Sequence, residues 1–363
     1  MKKITTLSLA LACVLGLTAC NQDKAAQSPD KQTQAQSGTT QNDPKAGEIA
    51  LHTATGEVKL PANPAPIAVY DMTALQNLAA LGVAVQGVPE MEADRVALLN
   101  LKAKDTPEGV PIGTVLEPNL EALNALKPQA VFVGSRMAEK SEELAKVAPT
   151  YNLTIDTKDM YAATKQQLTD FGALFGKTEE AKKRQAEIDS KIEEVKKAAA
   201  GKGTGLAILI NGDKMSAYGK NSRYGFLHTT FGIPMADENI QEARHGQPIS
   251  FEYLQKTDPD WLFVLDRGAA VGEEGKSAQV VLDNPLIHNT KAWKNKQIVY
   301  LSPDSYMAFG GYYQWLKDSQ IVLDALNKTA TKASDTANGN NTTNNTASNA
   351  QTDSAQADST KSK

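Results

Sequence analysis

The chain has 363 residues, with 38 Lys and Arg against 42 Asp and Glu and a net charge of −4. A mildly acidic chain without a Lys/Arg run lacks the footprint of a nucleic-acid binder. Its two cysteines, Cys13 and Cys20, both lie near the start, so the rest of the chain has no disulfide, thiolate metal site or thiol nucleophile. Four histidines leave little room for a multi-His metal cluster. Neither residues 21–48 nor residues 327–363 contain a Val, Ile, Leu, Met, Phe, Trp or Tyr. The folding part is therefore expected within 49–326.

Met1-Lys2-Lys3 is a short basic start, and Ile4 to Gly16 is an apolar stretch broken by small residues. It is shorter than the roughly 20 residues of a membrane span and reads as a secretory leader over residues 1–19. Leu17-Thr18-Ala19-Cys20 resembles the bacterial lipobox. That resemblance implies a lipidated, acylated Cys20 after cleavage. Several acyl chains anchor stably where one does not. The protein is then expected in the periplasm or at the cell surface, tied to a membrane at Cys20. Residues 20–48 form its disordered tether, too polar to bury a core.

From residue 49 the pattern is α/β. Ile67 to Tyr70 is a short apolar strand, Asp71 caps a helix through Leu81-Gly82, and Val83 to Val88 reads as a second strand. A helix over Asn119–Leu126, capped by Asn119 and stopped by Lys127-Pro128, precedes a buried strand at Ala130–Val133. A further strand lies within Ala145–Thr154. This alternation argues for a mostly parallel sheet over 49–160. Residues 161–200 then carry two helices, Tyr161–Phe175 and Thr178–Ala200, with no strand signal: a helical connector. A second lobe occupies 201–326. Its strands are expected at Leu206–Ile210, Trp261–Leu265 and Ile298–Leu301. Its helices are expected at Tyr224–Phe231, Phe251–Lys256, from Val280, and at Gly311–Leu326. The tail, 327–363, is expected to be disordered.

The lobes echo each other. Asn119 to Val133 and Ser250 to Val264 each read as cap, x, Glu, helix turn, Pro, x, apolar strand, and each strand leads to an arginine, Arg136 or Arg267. With the lipobox and the connector, this unit resembles the class III solute-binding proteins of ABC importers, which carry iron-siderophores, haem or cobalamin. Within them the sequence is most similar to ferric catecholate siderophore-binding lipoproteins. The similarity is carried by Asn221-Ser222-Arg223-Tyr224-Gly225, by His245-Gly246-Gln247-Pro248-Ile249-Ser250-Phe251-Glu252, and by Phe263 to Gly272. It covers essentially 49–326.

The resemblance implies two Rossmann-like lobes joined by a rigid helical connector, and no enzymatic activity. It implies ligand arginines at Arg136, Arg223 and Arg267, and an iron-coordinating pair, His245 and Tyr306, for siderophores that leave iron sites open. Glu121 and Glu252, one per lobe, would contact an ABC permease dimer. It implies a monomer with no intrinsic cofactor, whose ligand is an Fe(III)-siderophore.

The residue types suit that chemistry. A ferric tris-catecholate is a trianion, and three guanidiniums offer permanent, weakly hydrated charge and planar donor forks. Arg136 and Arg267 both follow strands, and ligands of open α/β sheets sit outside the strands' carboxyl ends. Imidazole binds iron well, and a phenolate is a hard ligand for Fe³⁺. His228 reads as packing, Tyr312, Tyr313 and Trp315 as core or helix face, and Arg95, Arg184 and Arg244 as surface. The Gly-x-Ser-x-Gly, P-loop and His-Glu-x-x-His motifs of common enzymes are absent from the sequence. Haem or cobalamin in the same fold, or a surface protein with a degenerate transport fold, remain the alternatives.

Overall fold

The computed structural model describes residues 47–101 and 108–338, with side chains to residue 328. The leader, Cys20 and nearly all of the tether lie outside the described residues, as does the end of the tail. The described chain opens with an antiparallel hairpin of β1 (Glu48–Thr53) and β2 (Gly56–Pro61), in register from Glu48↔Pro61 to Thr53↔Gly56.

The first lobe follows. The wholly buried strand β3 (Ile67–Val69) leads to Asp71, whose carboxylate accepts from Ala74 N at 2.8 Å and caps α1 (Met72–Ala80). β4 (Gly87–Val88), α2 (Ala93–Leu98) and β5 (Val110–Pro111) come next. Asn119 caps α3 (Leu120–Leu126), which is followed by β6 (Ala130–Val133), α4 (Ser141–Ala145) and β7 (Thr150–Asn152). The five strands form a parallel sheet in the order β5-β4-β3-β6-β7. The strand expected from Val83 shrinks to Gly87–Val88. Gly82, at φ 68°, and Val83 close α1 instead, with Val83 N bonded to Leu78 O at 2.9 Å.

Two helices link the lobes, α5 (Met160–Leu174) and α6 (Thr178–Ala199). On α5, Leu168, Phe171 and Leu174 are buried; on α6, Ala181, Ile188, Ile192 and Val195. The Glu/Lys-rich run of α6 forms its outer face, with pairs such as Lys182–Glu179 and Lys196–Glu193.

The second lobe contains β8 (Gly205–Asn211), β9 (Lys214–Tyr218), α7 (Phe226–Thr229), β10 (Gln247–Ile249), α8 (Phe251–Thr257) and β11 (Trp261–Asp266). It continues with α9 (Arg267–Val271), α10 (Ala278–Leu282), α11 (Pro285–His288), α12 (Lys291–Lys294), β12 (Ile298–Tyr300) and α13 (Asp304–Met307). The strand order is β10-β9-β8-β11-β12. β8, β11 and β12 are parallel, but β9 runs antiparallel to both neighbours, so this sheet is mixed. Neither β9 nor β10 is expected from the sequence. The helix expected at Tyr224–Phe231 contracts to Phe226–Thr229.

The echo between lobes is structural. Asn119 and Ser250 both cap their helices through side-chain oxygens. Lys127 (φ 51°) and Asp258 (φ 42°) both end them in the left-handed conformation, with N–H groups bonded to Leu123 O and Leu254 O. A proline follows each, and it cannot continue a helix. β6 and β11 then enter their sheets beside β3 and β8.

The last helix, α14 (Tyr312–Asn338), packs on α6 and on α1 of the first lobe. Tyr312 N donates to Asn77 Oδ1 (3.0 Å), Gln314 N to Gln76 Oε1 (3.1 Å), and Thr73 Oγ1 to Phe309 O (3.0 Å), all buried. The helix runs beyond Leu326 and takes in the polar residues 327–338. Their lack of apolar residues hides the helical period.

Candidate functional site

In each sheet the order of strand addition reverses between two adjacent parallel strands, β3 and β6 in the first and β8 and β11 in the second. The carboxyl ends of such strands frame a binding crevice. Arg136 stands in the turn after β6, and Arg267 is the first residue of α9, directly after β11. Arg223 lies in the turn between β9 and α7, and Tyr306 on α13 after β12. His245 occupies an exposed loop before β10. Gly246 closes that loop at φ 74°, where a Cβ would press on the Tyr218 ring.

These five residues line one cavity of about 620 Å³, with Tyr218, Lys214 and Arg244. Tyr306 is its hub. The Arg136, Arg223 and Arg267 guanidinium carbons lie 5.3, 5.3 and 5.8 Å from the centroid of its ring, within cation–π range. Arg267 Nε donates to the Tyr306 hydroxyl at 3.2 Å. Arg136 donates to Tyr306 O (2.7 Å) and Met307 O (3.0 Å). Arg223 also stacks on Phe309 at 5.1 Å.

The arginines differ electrostatically. Burial, and then the neighbouring Arg223 charge, hold the Arg136 pKa below the ordinary guanidinium value. Arg267 is pushed the other way, by its hydrogen bond to Glu273 (2.6 Å) and then by Tyr306. Behind Arg136, burial raises the Asp71 carboxyl to about 6, against the opposing pull of its Ala74 N–H bond and of Arg136.

Sequence reasoning missed Arg244, which lines this cavity and an adjoining recess of about 390 Å³. Its place next to His245 was the available signal. Arg95 is not simple surface either: it reaches from α2 to α9, with Nη1 bonded to Ala269 O at 2.8 Å. Arg184 is half-buried, bound to Glu180 and Glu187 and stacked on Tyr312. His228 packs as expected: burial lowers its pKa, and Nδ1 bonds Ile233 O at 2.8 Å. Tyr312 and Trp315 are buried. Glu121 and Glu252 are exposed in the first turns of α3 and α8.

Four guanidiniums and the Lys214 ammonium line the pocket, while its one carboxylate, Glu273, is engaged with Arg267. Its lining is cationic and would suit an anion. His245 and Tyr306 add a nitrogen and an oxygen donor suited to ferric iron. Among the described residues, no group of three or more His, Cys, Asp or Glu stands where it could hold a metal ion. The other positions of an octahedral ferric ion would fall to a ligand.

Two α/β lobes, a helical connector and a charged cleft define a bilobal binding protein. The model of the periplasmic binding protein family matches residues 67–305, and the chain belongs to this family. It is 34% identical over 333 residues to the petrobactin-binding protein YclQ of Bacillus subtilis, covering 90% of this chain and 100% of the relative. It is 33% identical over 335 residues to the ferric-anguibactin-binding protein FatB of Vibrio anguillarum, covering 89% and 98%. The crystal structure of YclQ superposes with a TM-score of 0.70 at 33% identity, covering 77% of this chain and 98% of that one. The siderophore-binding protein BauB, bound to a complex of two acinetobactin molecules and ferric iron, gives 0.67 at 29% identity, covering 77% and 98%. These relatives are named for what they bind, not for a reaction.

Proposed function

We propose that this protein captures a ferric siderophore of the catecholate type in the interlobe cleft and delivers it to an ABC permease for iron uptake. The observation that carries this reading is the convergence of Arg136, Arg223 and Arg267 on Tyr306, in one cavity with His245. A ferric tris-catecholate brings three negative charges to three guanidiniums. A ferric tris-hydroxamate is neutral and would leave them uncompensated in a partly desolvated pocket. The petrobactin, anguibactin and acinetobactin partners of the relatives support a ferric chelate as the ligand. His245 and Tyr306 complete the coordination of chelates that leave two iron positions open. Exposed Glu121 and Glu252, on matching helices of the two lobes, are the permease contacts. Cys20 carries the lipid that holds the monomer to a membrane outside the cytoplasm. The protein has no intrinsic cofactor.

The test is titration of the purified protein, followed by tryptophan fluorescence, with a hexadentate ferric tris-catecholate and a tetradentate ferric bis-catecholate. Both should bind at sub-micromolar concentration. His245→Ala combined with Tyr306→Phe should weaken the tetradentate complex about tenfold or more and leave the hexadentate one nearly unchanged. Silence toward both chelates would overturn the reading. Equal effects on both would reduce the site to an arginine clamp.

A further inference from the structure

Tyr306 belongs to a single helical turn, and such a turn has little rigidity of its own. The residues before Tyr306 are held by a largely buried polar network instead. Asp318 accepts from Ser302 N (2.9 Å), Gln314 Nε2 (2.8 Å) and the Ser305 hydroxyl. Asp304 accepts from Gln76 Nε2 and from Lys317 Nζ at 3.0 Å. Gln76 also donates to Leu99 O (2.8 Å) and accepts from Gln314 N. Gln76, Asp304, Ser305, Gln314 and Asp318 are all 0% exposed.

Two carboxylates in a core cost stability that apolar side chains would not. What such a network provides, once its groups are partnered, is a fixed geometry. The residues just before Tyr306 are tied to Asp318 on α14 and, through Asp304, to Gln76 on α1 of the other lobe. His245 is different: its loop is exposed, and its flanking bonds are a Gly246 N–Ala243 O turn and a Gln241 N–Gln247 Oε1 contact. One proposed iron donor is rigidly mounted and the other adapts.

Building on the proposed coordination by Tyr306, we infer that Gln76 and Asp318 are positioning residues, which fix the Tyr306 phenol oxygen where a ferric ion with open positions can take it. They touch no ligand, so they govern the choice between chelate types and not the capture of anions. Loss of an outer-sphere partner commonly costs about 10–100-fold in metal affinity.

The experiment compares Gln76→Ala, Asp318→Asn, Ser305→Ala and Tyr306→Phe with wild type, using the same two ferric chelates. The readouts are the affinity ratio between chelates, the visible phenolate-to-iron charge-transfer band, and the melting temperature. Gln76→Ala and Asp318→Asn should lower tetradentate affinity about tenfold and weaken the band, with hexadentate affinity held within about twofold. Ser305→Ala leaves Asp318 two of its three donors, so it should shift the same readouts less and remain measurable if Asp318→Asn does not fold. Folded variants with the wild-type ratio and band, or with both chelates weakened alike, would overturn the inference and leave the coordination reading standing. If Tyr306→Phe itself leaves ratio and band unchanged, the coordination reading fails, and the positioning role with it.

Discussion

Arg136 and Arg267 hold the same place in two copies of one helix–strand unit, yet they sit in different electrostatic surroundings. Arg136 is drawn in, bonded to two backbone carbonyls, and its pKa is lowered by burial. Arg267 faces a carboxylate, and its pKa is raised. The repeated backbone decides where each Cα goes, and the neighbours decide what each charge is free to do. Under the proposed reading, an incoming anion would compete with Glu273 at Arg267. At Arg136 it would meet a guanidinium that donates to two carbonyls and a methionine sulfur.

The largest effect should come where the two halves are used as equals. Charge reversal, Glu121→Lys or Glu252→Lys, should abolish iron uptake by cells while the purified protein keeps its affinity. If one reversal stops uptake and the other leaves it normal, the lobes are not docked symmetrically. Each Glu also supports its helix N-terminus, so a small loss of melting temperature is expected.

The arginine pair should separate next. Arg267→Ala should cost roughly 1.5–3 kcal/mol of ferric-catecholate binding and leave stability nearly unchanged. Arg136→Ala should cost at least as much affinity and also lower the melting temperature, because it strips donors from the Tyr306 and Met307 carbonyls. Identical melting curves for the two variants would contradict the asymmetry.

The smallest effect belongs to Glu273→Gln. Relieving Arg267 of its competing carboxylate should tighten ferric-catecholate binding by up to about 1 kcal/mol, the scale of a partly exposed ion pair. Weaker binding would mean that Glu273 serves the site by orienting Arg267.

The parts legible in the sequence were those with a local signature. α3 and α8 announced themselves by cap, Glu and Pro, and β6, β8 and β11 by short apolar runs. The five cavity residues came from motif resemblance and strand ends. β9 escaped because Lys214-Met215-Ser216-Ala217-Tyr218 is too mixed to read as a strand; only Asn211-Gly212, with Gly212 at φ 58°, hinted at the hairpin. β10 is three residues with a proline in the middle. The network around Tyr306 was invisible for another reason. Gln76, Asn77, Asp304 and Asp318 look like surface residues in a sequence, and only long-range packing makes them core. Arg244 was missed because its role comes from the cavity, not from its own helix or strand.

The bonds from α1 to the start of α14 have a consequence for the order in which the chain folds. Thr73, Gln76 and Asn77 find their partners 236, 238 and 235 residues downstream. Before residue 314 has been synthesised, a docked α1 would bury the Thr73 hydroxyl and the Gln76 and Asn77 side-chain oxygens without these partners, at about 1–3 kcal/mol each. Many multidomain chains complete their first domain while the rest is still being made. Here the first sheet has all its strands by residue 152, but α1 lacks part of its buried hydrogen bonding until nearly the end of the chain. These bonds tie the first lobe to the last helix, and contacts of such separation close slowly. One of them, Gln314 N to Gln76 Oε1, belongs to the polar network before Tyr306, so that network too is incomplete until the final helix emerges.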